Sequence, residues 1–365
     1  MNAHNDAILG IPTNIITGFL GVGKTSAIMH LLANKPKHER WAVLVNEFGE
    51  IGVDGSLVEG QQLDQKIFIR EVTGGCMCCS AGLPMKVALN QLLSKAKPDR
   101  LLIEPTGLGH PKEVVEVLSS EHYQAVLTLQ QNITLVDARK LSDPRYTNHD
   151  TFNQQIAIAD TVVGNKVDLY QAGDIEKLEK YVAAISQANT KVLFSQHGAI
   201  SVAELEGAMF TQDHSCKEHK DHVHENDHHG HDHDHHAHDS HEGHHHDYHA
   251  HDHNKPLASE TIMPDTGVVK AVNQGEGFYS VGWRFSADKV FEQDKLQRLL
   301  ASLKIERMKA VMITDKGIIG YNLTSDGLTM NALESCSESR IELIAESIDK
   351  QFELTLLDCI KPLKA

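Results

Sequence analysis

Over residues 14–210, short aliphatic and β-branched runs alternate with longer stretches whose apolar residues recur every three or four positions. The short runs are NIITGF, WAVLVN, KIFIREV, RLLIEP, NITLVDA, TVVGNKVD and KVLFS. Between them lie SAIMHLLANK, LPMKVALNQLLSKA and IEKLEKYVAAISQ, each long enough for a crossover helix. Strands alternating with helices in this way predict an α/β fold with a parallel, doubly wound sheet. Near residue 211 the pattern stops, and it resumes after Pro264. GVVKAVNQGEGFYSVGWRF reads as two strands, Asp288 to Leu303 as an amphipathic segment, and RMKAVMITDKGIIGYNLT as a hairpin turning at Asp315–Gly317. The expected organisation is a P-loop domain over 1–211, a linker over 212–265 and a smaller α+β C-terminal domain over 266–365.

Composition supports folded domains on either side of the linker. With 41% hydrophobic and 23% charged residues, the chain has enough apolar material for a core. The linker differs sharply. Of 25 histidines, 18 lie between His214 and His253, and residues 213–253 carry 11 acidic residues against Lys217 and Lys220. More than half of the formal net charge of −16 therefore sits in this stretch. With almost nothing to bury it cannot offset its ordering entropy, so disorder is expected. Imidazoles interleaved with aspartates, His231, His233, His235 and His236 among them, form many weak sites for Zn²⁺, Ni²⁺ or Co²⁺. An acidic linker that binds metal only adventitiously is the plainer alternative. The acidic balance argues against a nucleic-acid partner. No apolar run nears the roughly 20 residues of a membrane span, and the start MNAHNDAILG lacks signal-peptide features, so a cytoplasmic protein off the membrane is expected.

Gly18 to Thr25, GFLGVGKT, follows a strand and opens a helix, the context a phosphate-binding loop requires. Backbone N–H groups of Gly21, Val22, Gly23 and Lys24 are expected to ring a phosphate, with Lys24 reaching the β- and γ-phosphates. Thr25 would offer its hydroxyl to Mg²⁺, and Ser26 would reach the α-phosphate. Downstream, Asn165, Lys166 and Asp168 in GNKVD point to guanine, because one carboxylate can accept both N1–H and the 2-amino group. GTP and GDP are thus the expected ligands. In RLLIEPTGLGHP, Glu104 ends an apolar strand and is placed near Mg²⁺ through water, with Gly107 near the γ-phosphate. A capping loop is the alternative there. Lys24, Thr25 and Glu104 are the candidate catalytic surroundings. His110 stays an open case.

Three of the six cysteines, Cys76, Cys78 and Cys79, fall within four residues after a strand and two glycines. Three thiolates there can hold one soft cation such as Zn²⁺, leaving a fourth position for a carboxylate, a histidine or water. A redox dithiol or inert packing are the competing readings. Cys216, Cys336 and Cys359 stand alone and read as structural or incidental.

In order, TGFLGVGKT, NEFGE, GGCMCC, IEPTGLGHP and NKVD resemble the CobW-type family of metal-handling GTPases, above all its YeiR-like zinc-binding branch. The likeness spans most of residues 14–200, and a C-terminal module containing GWRF is usual in that family. It implies GTP hydrolysis coupled to delivery of Zn²⁺ to a zinc-dependent client protein. It also implies that Cys76, Cys78 and Cys79 bind the metal and that NEFGE with Asp54 forms a switch region. Some relatives carry a glutamate where Val45 stands here, so the nearby carboxylate is expected from Glu47 or Glu50. A zinc buffer or sensor with a vestigial GTPase, or a cobalt or nickel chaperone, are the rival functions. The client stays unidentified, and a homo-oligomer stays open.

Overall fold

The computed structural model describes residues 9–46, 66–72, 83–209, 261–275, 277–349 and 351–362. Glu47, Glu50, Asp54, Cys76, Cys78, Cys79, Cys216 and the whole histidine tract lie outside the described residues.

Seven strands make one parallel sheet: β1 (Ile11–Gly18), β2 (Trp41–Asn46), β3 (Ile67–Val72), β4 (Arg100–Glu104), β5 (Leu127–Val136), β6 (Thr161–Gly164) and β7 (Lys191–Phe194). Their order is β3-β2-β4-β1-β5-β6-β7, every neighbouring pair parallel. Helices α1 (Lys24–Ala33), α2 (Leu83–Ala96), α3 (Pro111–Leu118), α4 (Asp150–Ala157) and α5 (Asp174–Ile185) accompany it. β4 shows why the strands read as unbroken apolar runs. Successive side chains point to opposite faces. Leu101 and Ile103 pack with Met85, Leu89 and Leu92 of α2, whereas Leu102 packs with Ile28 and Leu31 of α1. Both faces are covered, so no polar alternation is tolerated. α2 in turn buries Met85, Ala88, Leu89, Leu92, Leu93 and Ala96, one stripe at helical spacing. Each buried leucine or methionine in that stripe contributes about 1.5–3 kcal/mol. α3 and α4, and the extension of β5 back to Leu127, were not legible in the apolar pattern.

A second, six-stranded sheet is antiparallel throughout. Its strands are β8 (Val268–Gly275), β9 (Phe278–Phe285), β10 (Arg307–Thr314), β11 (Gly317–Thr324), β12 (Gly327–Leu333) and β13 (Ser339–Ala345), ordered β12-β11-β10-β13-β9-β8. α6 (Gln293–Ala301) and α7 (Gln351–Leu357) lie on one face. There Trp283, Phe285, Met308, Ala310 and Leu343 meet Leu296, Leu300, Phe352 and Leu356. The segment expected to be helical from Asp288 becomes α6 only at Gln293. The reason is local: Phe291 donates its N–H to Ile313 and its carbonyl accepts from Asp315, tying this stretch to β10 instead. The hairpin turns at Asp315–Lys316 as its sequence indicates, with Gly317 at φ 129°.

The other face of this sheet is polar in sequence yet buried. Arg307, Lys309 and Glu342 are each at most 8% exposed. Both sheets belong to one compact unit formed by Met1–Phe210 and Leu257–Ala365. Phe278 and Ile344 of the antiparallel sheet join Phe19, Leu20, Tyr146 and Phe152 in a shared apolar cluster. Tyr146 donates its hydroxyl proton to Glu306 at 2.7 Å, which seals the rim of that contact.

Candidate nucleotide site

β1 lies between β4 and β5, where the strand order reverses, and open α/β sheets bind ligands beyond the strand ends at such a point. The chain leaves β1 through Gly21 and Gly23, with φ of 68° and 101°. A Cβ at Gly23 would stand 2.6 Å from Asn165 Nδ2, so a side chain is excluded on two counts. Gly23 caps α1 without a side-chain acceptor, and the first turn holds no acidic residue. The backbone donors and positive end of the helix are thus left for an anion.

Lys24 is 6% exposed, and its Nζ donates to the carbonyls of Gly18 at 2.9 Å and Phe19 at 3.3 Å. Thr25 Oγ1 donates to Glu104 Oε1 at 3.2 Å, and Glu104 is buried at the end of β4. Ser26 faces solvent. In the loop after β4, the buried hydroxyl of Thr106 finds no hydrogen-bond partner among the described residues. A Cβ at Gly107 would come within 3.2 Å of Lys24 Nζ, and the Gly107 carbonyl accepts from Gln155 Nε2 at 3.0 Å. Lysine, hydroxyl and carboxylate thus meet beside a glycine loop with backbone room and an unmatched hydroxyl, a donor set suited to a metal-bound polyphosphate.

β6 delivers the segment expected to read the base to the same place. Asn165 is buried; its Nδ2 donates to the Val22 carbonyl at 2.9 Å, and its Oδ1 accepts from the Gly198 N–H at 3.0 Å. It therefore clamps the phosphate loop to a third loop, Ser195–Ala199, which follows β7. Sequence reading missed this loop. The only signal was a glycine soon after a strand, and its reason is steric: at Gly198, φ 73°, a Cβ would lie 2.6 Å from the Ala27 nitrogen. Lys166 adopts φ 65° and Asp168 is exposed in a short helical turn.

The antiparallel sheet adds residues that no motif announced. Asp326, in the turn between β11 and β12, pairs with Lys166 Nζ at 2.5 Å and with Arg139 at 2.8 Å. Arg139 also holds Asp137, just beyond β5, through Nε at 2.9 Å. Burial pushes the Asp326 carboxyl up, but Arg139 and Lys166 outweigh it and hold the group down at about 2. Thr324 touches the glycine loop, its Cγ2 3.5 Å from where a Gly21 Cβ would be. Lys309 Nζ donates to Thr25 Oγ1 at 3.2 Å. A small cleft lies between Gly21, Val22, Asp137, Lys166, Thr324 and Ser325.

His110 stands at the N-cap of α3, its Nδ1 3.4 Å from Gln154 Oε1. Cys359 is buried and donates to the Thr355 carbonyl at 3.3 Å; desolvation raises both its thiol and that of Cys336. Among the described residues no three His, Cys, Asp or Glu side chains converge as a metal site. Nor is any described helix long and apolar enough to cross a membrane.

The parallel sheet and its glycine loop, with the GNKVD segment after β6, define a P-loop GTPase fold. Residues 12–193 match the model for the CobW/HypB/UreG nucleotide-binding domain. The chain is 36% identical over 338 residues to the zinc chaperone YeiR of Escherichia coli strain K12, spanning 92% of this chain and 93% of that one. It is 34% identical over 201 residues to the zinc chaperone YjiA of the same strain, covering 53% of this chain and 60% of YjiA. A crystal structure of the Zn(II)-bound YjiA GTPase from E. coli aligns over 96% of this chain and 99% of that one, at 19% identity and a TM-score of 0.42. The protein belongs to the CobW/HypB/UreG family.

Proposed function

We propose that the protein is a GTP-hydrolysing zinc metallochaperone whose nucleotide state sets the metal affinity of its cysteine loop. The observation that carries the nucleotide half is the Asn165 clamp, which ties the phosphate loop, the guanine segment and the loop after β7 into one frame. In this reading the Gly21–Lys24 backbone cradles the phosphates. Lys24, which already donates to two carbonyls of its own loop, can turn to phosphate oxygens without leaving a charge unpaired. Asp168, exposed beside the clamp, accepts from the guanine edge. Thr25 and Glu104 would hold Mg²⁺, which when bound supplies positive charge against the phosphates.

The metal half is supported by relatives named zinc chaperones and by the sequence of the cysteine loop. Cys76, Cys78 and Cys79 would bind Zn²⁺ with a carboxylate from Glu47 or Glu50. The segment from Glu47 to Asp54 would change with nucleotide state, and the tract at 213–253 would collect ions within the linker 212–265. A zinc-dependent client protein receives the metal.

Competition binding with guanine and adenine nucleotides, with phosphate release measured in parallel, tests the nucleotide half. We expect a preference for GTP over ATP of at least about 100-fold, as a site built to pair buried polar groups gives. In Asp168→Asn the preference should move from guanine towards xanthine nucleotides, because an amide can donate where the base has lost its donor. Equal binding of ATP and GTP would overturn this assignment. GTP binding without turnover, alongside zinc uptake, would instead favour a zinc buffer.

A further inference from the structure

Lys309 is an unexpected residue to find at a phosphate site. It comes from the middle of β10, directly opposite Glu342 in β13, about 280 residues after the glycine loop in sequence. Its neighbours Met308 and Ala310 face the core under α6 and α7, so strand alternation points Lys309 to the other side. There it is 8% exposed, and its ammonium lies 3.2 Å from the Thr25 hydroxyl oxygen. The Thr25 proton is already committed to Glu104. Lys309 therefore uses a lone pair of the same oxygen that a divalent cation would use, beside the same carboxylate. Two cations on one hydroxyl oxygen repel, and burial weakens the screening that would relieve them.

We propose that Lys309 is an internal counter-cation of the nucleotide site: it stands at Thr25 when no divalent ion does, and metal-bound nucleotide displaces it. The proposal rests on the GTP-binding reading above and adds a coupling to it. Asp326 grips Lys166 from the same sheet, so both the phosphate end and the base end of the site are engaged by the C-terminal domain. Displacing Lys309 loosens one of those two grips. Loading with metal and nucleotide is then felt in a domain whose residues carry none of the nucleotide motifs.

The test uses the full-length protein and a fluorescent GDP analogue, titrated with excess EDTA and again across a Mg²⁺ series, for the unaltered chain and for Lys309→Met. We expect Lys309→Met to weaken binding in EDTA by about tenfold, the size of one charge-assisted hydrogen bond. At saturating Mg²⁺ the loss should be absent, and any change should be towards tighter binding, because the metal no longer has to displace the ammonium. By linkage, the Mg²⁺ concentration giving half-maximal effect should fall by at least the same factor. Lys309→Gln, which keeps a donor to Thr25 but no charge, should behave like Lys309→Met, and it serves if the methionine variant does not fold. An equal loss with and without Mg²⁺ would mean that the lysine stays on the phosphates beside the metal, and would overturn the proposal. So would identical profiles in all three proteins. Failure of the unaltered chain to bind the GDP analogue at all would reject the GTP reading as well, whereas normal binding with an unshifted Mg²⁺ profile rejects only the role of Lys309.

Discussion

The two sheets bring residues to the site in different ways. In the parallel sheet every contributor sits at or just beyond a strand's carboxyl end: Lys24 and Thr25 open α1 after β1, Glu104 is the last residue of β4, Asn165 follows β6 and Gly198 follows β7. Its central strands β4 and β6 are buried throughout and free to be largely apolar. In the antiparallel sheet only one face is covered by helices, so the opposite face can carry charge, and it presents Lys309 from mid-strand and Asp326 from a turn. Loop contributors fall in compact motifs, whereas strand-face contributors are scattered one at a time through an alternating pattern.

The second sheet depends most on its apolar core. Trp283 is 1% exposed against Phe352, and Trp283→Ala should cost about 3–5 kcal/mol of stability, measured by denaturant titration. Because the sheets share an apolar cluster, we expect one unfolding transition; two well-separated transitions would show that the sheets are independent. Next comes Lys24→Ala, which should weaken nucleotide binding on the order of 100-fold and lower stability far less, because the Gly18 and Phe19 carbonyls it leaves lie beside its own loop. Calorimetric titration beside a melting curve separates the two effects. Asn165→Ala removes two buried hydrogen bonds and should cost about 1–3 kcal/mol of stability together with nucleotide affinity. A loss of affinity alone would mean that the three loops hold together without it.

The smallest effect concerns Asp326 and pH. Its folded value, about 2, lies below the ordinary 3.8, so its ion pairs contribute fully above about 3.8 and are lost as pH falls towards 2. Acid titration of Asp326→Asn beside the unaltered chain should show a stability difference that is flat from pH 5 to 8 and closes below pH 4. A difference that grows on acidification would reverse the assigned sign.

Much of this was legible in the sequence, for physical reasons. All seven runs read as parallel strands overlap an observed one, and in the central strands burial on both faces leaves a nearly uninterrupted apolar signal. The glycine loop and the Asn165 segment were readable because backbone geometry and base chemistry fix residue types at fixed spacing. β12 and β13 were not read: GLTMNAL has mostly exposed or half-exposed positions, and SRIELIA mixes Arg340 and Glu342 into a strand whose polar face is covered by the other sheet. Lys309 carried no local signal at all. Its partner, Thr25, is 284 positions away, and only the packing of the two sheets joins them.

In the proposed metallochaperone, nucleotide state alters zinc affinity at Cys76, Cys78 and Cys79. The most direct measurement is the Zn²⁺ affinity of a variant lacking residues 213–253, which removes the background of the tract, with GDP and then with a non-hydrolysable GTP analogue. A Cys76/Cys78/Cys79→Ser triple substitution is measured alongside. We expect the two nucleotides to give affinities differing by at least about fivefold, the usual range of such coupling, with high-affinity binding lost in the triple variant. Equal affinity in both nucleotide states would contradict the coupling and leave a metal buffer beside an independent GTPase.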